Sequence, residues 1–295
     1  MGVSDIISVP SANAAVKGAG RSMGALLIDA GKLRPEDAEA ILRLQREKNL
    51  RFGDAAIELG LITQADIDFA LSRQFDYPYL QRGESKVSEE LVAAYDPFSP
   101  QVEALRALRA QLMLRWFDHD PVRSALAIVS ASRGEGRSYI AANLAVVFSQ
   151  LGERTVLIDA DLRNARQHRL FGIENRAGLS ALLSGRAGLD AVHRIPGLLG
   201  LSVLPAGTLP PNPQELIARP AFSQLLEQLA GHFDVILLDS PPAAETADAQ
   251  TLAVRAGAAL VVVRKNSSRT WRVRGISDSV AHAKASIVGA VLNDF

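Results

Sequence analysis

The chain has 295 residues, 48% of them hydrophobic, which is enough apolar material for a large core and predicts two domains. It contains no cysteine, so disulfides, thiolate nucleophiles, zinc ribbons and iron–sulfur clusters are excluded. Its 32 basic residues balance 32 acidic ones, which gives no general argument for binding nucleic acid or a membrane surface.

The amino-terminal residues show no targeting or membrane-spanning segment. No apolar stretch approaches the roughly 18 to 20 residues that cross a bilayer. A basic segment followed by a hydrophobic one, as in a secretory signal, is also missing, so we expect a cytoplasmic protein. Residues 1–19 are small and non-periodic, which predicts a flexible tail.

Residues 20–82 contain a duplicated unit. The segment 23–45 superposes on 52–74 at an offset of 29 residues. Each copy is predicted to form a short helix that ends at a glycine, a polar turn and a second helix, because glycine permits the left-handed conformation that closes a helix. Two such hairpins would bury their leucine and isoleucine faces against one another as a small helical domain.

This duplicated unit resembles the small N-terminal domain of type II secretion ATPases, in which an R-L-G-x-x-L…G…L-x-x-Q pattern occurs twice. In the first copy, Ser22 occupies the arginine position and the arginine lies one residue earlier. The pattern binds cyclic di-GMP in some members of that family, whereas a docking module without a ligand is the alternative. The resemblance assigns the dinucleotide to Arg21, Gly24, Gly31, Gln45, Arg51, Gly53, Gly60 and Gln74.

Residues 83–100 are interpreted as a linker. They contain Gly83, Pro97 and Pro100, and the helical periodicity fades through them. The second domain is therefore predicted to cover residues 101–295.

A glycine loop follows the first predicted strand of the second domain. Residues 124–132 form an apolar run suited to a buried parallel strand, and a helix is predicted from the loop to Gly152. A strand, a glycine loop and a helix direct several N–H groups at one anion. The triplet Gly136-Arg137-Ser138 departs from the phosphate-loop pattern, which has lysine in the middle. Arginine keeps the charge but is bulkier.

Two later apolar strands end in carboxylates. Asp159 and Asp161 follow one strand, and Asp239 follows the other. The carboxyl ends of parallel strands lie at one sheet edge, where three carboxylates beside a phosphate suit Mg²⁺. A single acidic residue there could simply cap the next helix, but three in this order make coincidence improbable. We therefore predict an α/β fold with a mostly parallel sheet flanked by helices.

The glycine loop, the DxDxR segment and the DxxP segment resemble the Walker A, Walker A′ and Walker B motifs of the bacterial tyrosine kinases of polysaccharide export. Glu103, Arg106 and Arg109 fit the ExxRxxR motif of that family, and residues 204–216 are similar to its proline-rich loop. Joined to the duplicated unit, the chain resembles the EpsG-type chain length determinant tyrosine kinases. The resemblance implies a P-loop NTPase fold preceded by a small helical domain.

The resemblance also implies a function: an ATP-dependent protein tyrosine kinase that regulates exopolysaccharide biosynthesis, chain length and export, with ATP and Mg²⁺ as cofactors. Catalysis would fall to Asp159, Asp161 and Arg137, and the metal to Ser138, Asp161 and Asp239. The nucleotide contacts that it assigns are Ser132, Arg133, Gly134, Glu135, Gly136, Arg137, Ser138, Tyr139 and Asp239.

Several partners follow from the same resemblance. The kinase would self-associate into a ring or dimer through Glu103, Arg106 and Arg109. A membrane polysaccharide co-polymerase of the Wzz-like kind would activate it and recruit it to the inner membrane. A protein tyrosine would accept the phosphate. Such kinases usually end in a tyrosine-rich tail, whereas this sequence ends at VLNDF. Either the tail is missing, the acceptor is another protein or a linker tyrosine such as Tyr95, or the activity has drifted to nucleotide-dependent switching.

The alternative function is a MinD/ParA-like ATPase switch or scaffold without kinase activity. That group carries a signature lysine early in its glycine loop, where this chain has Ser132. The basic stretch 264–274, which includes Trp271, could contact DNA or anionic lipid. A solvated loop entering a helix is the more usual role of such a stretch, so DNA is not an expected partner.

Overall fold

The computed structural model describes residues 22–74, 78–119 and 123–294. Two compact units divide between Tyr79 and Leu80. The predicted flexible tail, 1–19, and Arg21 of the predicted dinucleotide site lie outside the described residues. None of the described helices is both long enough and apolar enough to cross a bilayer.

The first unit is a pair of helical hairpins. Its second hairpin begins 29 residues after the first, at the offset of the sequence repeat, and Gly31 and Gly60 close equivalent turns with φ of 68°. The core between the hairpins includes Leu27, Ile41 and Ile67. The helices are α1 (Met23–Asp29), α2 (Pro35–Lys48), α3 (Phe52–Glu58) and α4 (Gln64–Gln74).

Two further glycines of the repeat allow close helix packing. A Cβ atom at Gly24 would lie 3.1 Å from the ring of Phe52, and one at Gly53 would lie 2.7 Å from Cδ1 of Ile67. The second distance is shorter than packed carbon atoms tolerate, so a side chain at Gly53 would push the helices apart. Packing therefore explains these two glycines without a ligand.

The second unit is a seven-stranded sheet with helices on both faces. The strand order is β3-β4-β2-β5-β1-β6-β7, and β3 alone among these strands runs antiparallel to its neighbour. This architecture confirms the predicted fold class. The strands are β1 (Ala125–Ser130), β2 (Thr155–Asp159), β3 (His193–Arg194), β4 (Leu201–Leu204), β5 (Val235–Asp239), β6 (Ala258–Arg264) and β7 (Ser286–Asn293).

Nine α-helices are described in this unit, and they enclose the sheet in two apolar layers. Every residue of β1, β2 and β5 is buried, which is why these strands are almost continuously apolar. The helices are α5 (Val92–Tyr95), α6 (Pro100–Arg115), α7 (Arg137–Leu151), α8 (Gln167–Leu170), α9 (Leu179–Leu183), α10 (Pro213–Ala218), α11 (Pro220–Ala230), α12 (Asp248–Ala256) and α13 (Thr270–His282).

The strand register determines which side chains meet at the sheet edge. Asp159 at the end of β2 lies directly opposite Asp239 at the end of β5, and Asp239 lies opposite Ile128 of β1. The strand β5 therefore separates β1 from β2, and the glycine loop after β1 opens at the same edge as both carboxylates. A phosphate site can form there because the carboxyl ends of three neighbouring strands, β2, β5 and β1, meet at this edge.

The predicted linker belongs to the second unit. Residues 83–100 do not form a free connector, because α5 buries Ala93, Ala94 and Tyr95. The side chain of Asn143 on α7 accepts the Ala93 N–H at 3.0 Å, and the Tyr95 hydroxyl donates to the Val87 carbonyl at 2.5 Å. The segment is too short to show helical periodicity, and its short helix packs mainly against α7 and also against α6.

The attachment of this segment can be tested at Asn143. The variant Asn143→Ala leaves the buried Ala93 N–H without its acceptor, which costs about 1 to 3 kcal/mol. We expect the midpoint of thermal unfolding to fall by about 2 to 12 °C. The exposed helix variant Gln228→Ala should shift it by less than about 2 °C. Equal midpoints for the two variants would show that the segment is not held by this bond.

Candidate functional site

The glycine loop leads from β1 into α7 and leaves its N–H groups available. Gly134 has φ of 80° and Gly136 has φ of 91°, a region that favours glycine. Gly136 is also the residue that precedes α7, and no side chain caps the helix there. The first N–H groups of α7, beginning at Arg137, therefore point out of the helix without an internal partner, as an anion site requires.

Glu135 holds the loop to the rest of the unit. Its carboxylate accepts the Ser132 N–H at 2.8 Å and the hydroxyl of Ser268, and its carbonyl accepts from the Asn293 side chain at 3.1 Å. The residue is only 2% exposed. Sequence interpretation placed Glu135 among the nucleotide contacts, but the structure commits its side chain to bracing the loop.

The basic stretch after β6 also contacts the loop. Arg264 donates to the Gly134 carbonyl at 3.2 Å, and Arg272 donates to the Ser132 hydroxyl at 3.1 Å. Lys265 pairs with Asp294 at 2.6 Å. These three basic side chains therefore have partners within the fold. Part of the positive charge that suggested DNA or lipid binding thus has a structural role.

Arg137 extends from the start of α7 into the space between the acidic strand ends. Its Nη2 lies 3.5 Å from Oδ2 of Asp161, and its Nε lies 3.5 Å from Oδ1 of Asp239. A third contact, 2.7 Å from Nη1 to the Ser130 hydroxyl, fixes the guanidinium. Two predicted catalytic residues, Arg137 and Asp161, thus lie in one buried cluster with Asp239, which was predicted to bind the metal.

Asp159 completes the cluster from the end of β2. Its Oδ2 accepts the N–H groups of Arg166 and Gln167, both at 2.9 Å, and Asp161 accepts the Asn164 N–H at the same distance. The turn after β2 therefore folds back over both carboxylates. Oδ1 of Asp159 is buried and has no hydrogen-bond partner in the described residues.

Burial raises the pKa of Asp159 well above its ordinary value, and the nearby charge of Asp239 raises it further. Burial also raises the pKa of Asp239, although the charge of Arg137 and hydrogen bonds from Gln167 and Ser138 lower it. Two carboxylates that share a dry site cannot both ionise freely. The cluster therefore needs a cation, and Arg137 supplies one in this structure.

Gln167 is the site residue that sequence reasoning missed. Its side chain is fully buried and donates to Oδ2 of Asp239 at 2.7 Å and to the Ser138 carbonyl at 3.1 Å, so it links the end of β5 to the start of α7. Glutamine six residues beyond a DxD segment carries no recognisable signal. Only the turn after β2 brings it to the carboxylates.

The residues of the predicted subunit contact lie on α6. Glu103 and Arg106 form an i, i+3 ion pair at 3.1 Å, and the Glu103 side chain is 72% exposed. Arg109 instead donates to the Val147 carbonyl of α7 at 2.6 Å, inside the chain. Among the candidate tyrosines, Tyr95 is buried with its hydroxyl bonded, so it is closed to a phosphoryl donor in this structure.

The donor set suits Mg²⁺ only together with a nucleotide. No group of three or more His, Asp or Glu side chains in the described ranges can hold a metal by itself. Mg²⁺, however, is commonly bound by one or two carboxylates plus phosphate oxygens and water. The buried Oδ1 atoms of Asp159 and Asp239 fit that role, since neither has a hydrogen-bond partner in the described part of the chain.

A glycine loop that opens a helix, with acidic residues at the ends of the adjacent strands, defines the class of P-loop NTPases. The ParA family model, described as a NUBPL iron-transfer P-loop NTPase, matches residues 121–294. The kinase domain of the Escherichia coli tyrosine kinase ETK has a similar solved structure, with 32% identity and a TM-score of 0.67 over 75% of this chain and 85% of that one.

Two relatives identify the family within this class of proteins. The tyrosine-protein kinase YwqD of Bacillus subtilis is 32% identical over 209 residues, 71% of this chain and 87% of YwqD. EpsB of Ralstonia solanacearum, named as a tyrosine-protein kinase, is 34% identical over 208 residues, 70% of this chain but only 28% of EpsB. The chain belongs to the bacterial tyrosine kinases, and it spans little more than a quarter of the length of some of them.

The raised pKa of Asp159 predicts a pH-dependent stability cost. From the ordinary value of 3.8 up to the raised pKa, the folded chain holds a proton that the unfolded chain has lost, so stability falls as pH rises. Because burial disfavours the charged form, this cost grows as the pH rises above the ordinary value. We therefore expect Asp159→Asn, which removes the charge, to raise the midpoint of thermal unfolding by about 2 to 4 °C at pH 7.5 without nucleotide.

The same comparison should show this gain shrinking as the pH is lowered toward 4. Asp278→Asn, at an exposed position of α13, is the matched control and should change the midpoint little at either pH. A gain that is equal at both pH values would contradict an ionised Asp159 as the source of the cost.

Proposed function

We propose that this chain is an ATP-dependent protein tyrosine kinase that regulates exopolysaccharide biosynthesis, chain length and export. Membership of the bacterial tyrosine kinases supports the reaction. The observation that carries the proposal is the single buried cluster in which Arg137, Asp159, Asp161 and Asp239 lie beside the glycine loop. Phosphoryl transfer depends on charge neutralisation and in-line positioning, which such a cluster provides.

The nucleotide site would use the loop and the cavity next to it. The N–H groups from Gly134 to Ser138 would hold the β-phosphate, and Ser138, Asp161 and Asp239 would hold Mg²⁺. A cavity of about 950 Å³ adjoins Gly134 and is lined by Tyr139 and apolar side chains of α6 and β7, which suits a base. Bound Mg²⁺ supplies charge neutralisation for the β- and γ-phosphate oxygens.

Arg137 has two tasks in this mechanism. In the structure it lies 3.5 Å from both Asp161 and Asp239, which are buried, and offsets part of their negative charge. With Asp161 and Asp239 holding a divalent cation, the guanidinium of Arg137 would be available to pair with phosphate oxygens. Its planar fork can take two oxygens at once, which a lysine in the same position cannot do.

Asp159 would orient the acceptor. The tyrosine oxygen forms a bond to the γ-phosphorus while the bond from that phosphorus to the β–γ bridging oxygen breaks, and ADP leaves. The hydroxyl proton, with a reference pKa of about 10, is lost late, to Asp159 or to water. The raised pKa of Asp159 makes its carboxylate a better proton acceptor than an exposed one.

The test of this function is phosphotyrosine mapping. Full-length protein, Mg²⁺ and ATP are incubated with and without the candidate Wzz-like membrane partner, and labelled tyrosines are identified by mass spectrometry. We expect labelling that falls at least about 100-fold in Asp159→Asn, since a positioned acid or base contributes roughly 10² to 10⁴. Asp278→Asn is the control and should label normally.

ATP hydrolysis without any labelled tyrosine would contradict the kinase and favour the ATPase switch or scaffold. Recruitment to the inner membrane by that partner, and self-association into a ring or dimer, are part of the same proposal. The exposed side chain of Glu103 on α6 supports a subunit contact there, whereas Arg109 would have to give up its bond to α7 to join it.

Cyclic di-GMP control is the second proposal, and it concerns the helical unit. The structure explains Gly24, Gly53, Gly31 and Gly60 by packing and turn geometry. What remains for a ligand is the exposed Arg51 at the start of α3 with the half-buried Gln45 and Gln74. Without a ligand, the unit is a docking module for another protein.

Calorimetry on the full chain separates these two roles. If the dinucleotide binds, titration of cyclic di-GMP should give a saturable heat that falls at least about 10-fold in affinity in Arg51→Ala, because a charge-assisted phosphate contact is lost. Arg43→Ala, an exposed arginine of α2, should bind like the wild type. The absence of any binding heat would leave docking as the role of this unit.

A further inference from the structure

A cleft of about 890 Å³ opens beside the carboxylate cluster and is lined mainly by polar side chains. Four arginines line it: Arg133 of the glycine loop and Arg163, Arg166 and Arg169 from the segment that follows Asp161. Glu90 is the one acidic side chain in the lining. The cleft therefore has a strong excess of positive charge, although the chain as a whole is neutral.

Two of these arginines already have partners. Arg163 pairs with Asp248, whose side chain is fully buried, and Arg166 pairs with the exposed Glu90. Both pairs hold the walls of the cleft in place. Because a buried carboxylate that loses its cation is strongly destabilising, Arg163 is committed to the fold.

The other two arginines are uncommitted. Arg133 and Arg169 are exposed, and neither guanidinium group forms an ion pair or hydrogen bond with the described residues. Neutral donors and acceptors such as Asn164, Asn175 and Thr208 line the space near them. Guanidinium groups in this setting bind carboxylates or phosphates through paired hydrogen bonds.

The cleft is continuous with the proposed reaction site. Arg166 lines the cleft, and its backbone N–H donates to the carboxylate of Asp159. The backbone N–H of Asn164, which also lines the cleft, donates to the carboxylate of Asp161. Arg133 reaches the cleft from the loop that would hold the phosphates. A polypeptide that places a tyrosine at Asp159 would therefore have its neighbouring residues in this cleft, whose volume exceeds that of one side chain.

We propose that the arginine-lined cleft binds acidic residues that flank the acceptor tyrosine. This proposal rests on the tyrosine kinase function and names its substrate class: a protein segment in which the acceptor tyrosine lies among aspartate or glutamate side chains. Arg169 and Arg133 contact the flanking carboxylates, while Asp159 contacts the tyrosine. Selection for acidic flanks follows because a neutral segment leaves both guanidinium groups without a partner.

Binding is measured without catalysis, on the full chain saturated with Mg²⁺ and a non-hydrolysable ATP analogue. The probe is a fluorescent peptide with phenylalanine in place of tyrosine and two glutamates on each side, and its partner peptide has glutamines there. Fluorescence anisotropy should show the acidic peptide binding about 10-fold more tightly at low salt, with the preference lost as salt screens the charges.

The variants locate the binding. Arg169→Gln should lower the affinity for the acidic peptide about two- to fivefold, and Arg133→Gln/Arg169→Gln should lower it about 10-fold, as expected for exposed ion pairs. Both variants should bind the neutral peptide with nearly the wild-type affinity. Arg219→Gln/Arg274→Gln removes the same charge from exposed positions outside the cleft and should bind both peptides like the wild type. In Arg169→Gln, KM for the tyrosine form of the acidic peptide should rise with kcat unchanged.

Three results would overturn the proposal: equal binding of the two peptides, equal weakening in the control variant, or binding of an oligonucleotide of the same charge that is lost in Arg169→Gln to the same extent. Phosphorylation that shows no acidic preference refutes the cleft and leaves the kinase function intact. Acidic binding at Arg169 without any phosphorylation refutes the kinase function and leaves the cleft as an acidic-peptide site.

Discussion

The site depends on the burial of three aspartates, two of which lie beside a single arginine. Asp159, Asp161 and Asp239 are each no more than 4% exposed, and such charges are costly in a low-dielectric interior unless they are paired. Arg137 lies 3.5 Å from two of them and reaches them from the helix that begins at the glycine loop. Arg137 thereby connects the helix that follows the glycine loop to the ends of β2 and β5.

Around that cluster, the structure satisfies the polar groups with neighbouring side chains and backbone. Gln167 links Asp239 to the start of α7, and the turn after β2 closes over Asp159 with two N–H groups. On the other side of the loop, the carboxylate of Glu135 accepts a hydrogen bond from Ser268 and so joins the loop to the segment after β6. The loop is therefore held in place by contacts that join the predicted motif to distant segments of the chain, and such contacts preorganise a site.

The arginine in place of the usual lysine has a physical consequence in this setting. A guanidinium can face Asp161, Asp239 and the Ser130 hydroxyl at the same time, because its donors point in several directions. The compact ammonium of a lysine could approach only one of these groups closely at a time. The substitution that weakens the sequence match thus gives the buried carboxylates a broader counter-charge.

Much of the second unit could be predicted from its residues. The apolar runs before Asp159 and Asp239 and the glycine-bounded helix from Arg137 were recognisable, because buried parallel strands and helix ends leave strong local patterns. In the helical unit, the 29-residue repeat predicted two equivalent hairpins. Arg51 and the glutamines remain candidates there, since the fold explains only the glycines.

Other features had no local signal. Residues 83–100 look like a connector because four residues of helix carry no periodicity, and their packing against α7 and α6 appears only in the folded chain. Gln167 and the inward turn of Glu135 depend on segments far apart in the chain. Sequence alone determined which strands, loop and acidic residues exist. Tertiary structure decided which side chains meet in the cluster and which brace the loop, because burial and hydrogen-bond partners are set only when distant strands come into register.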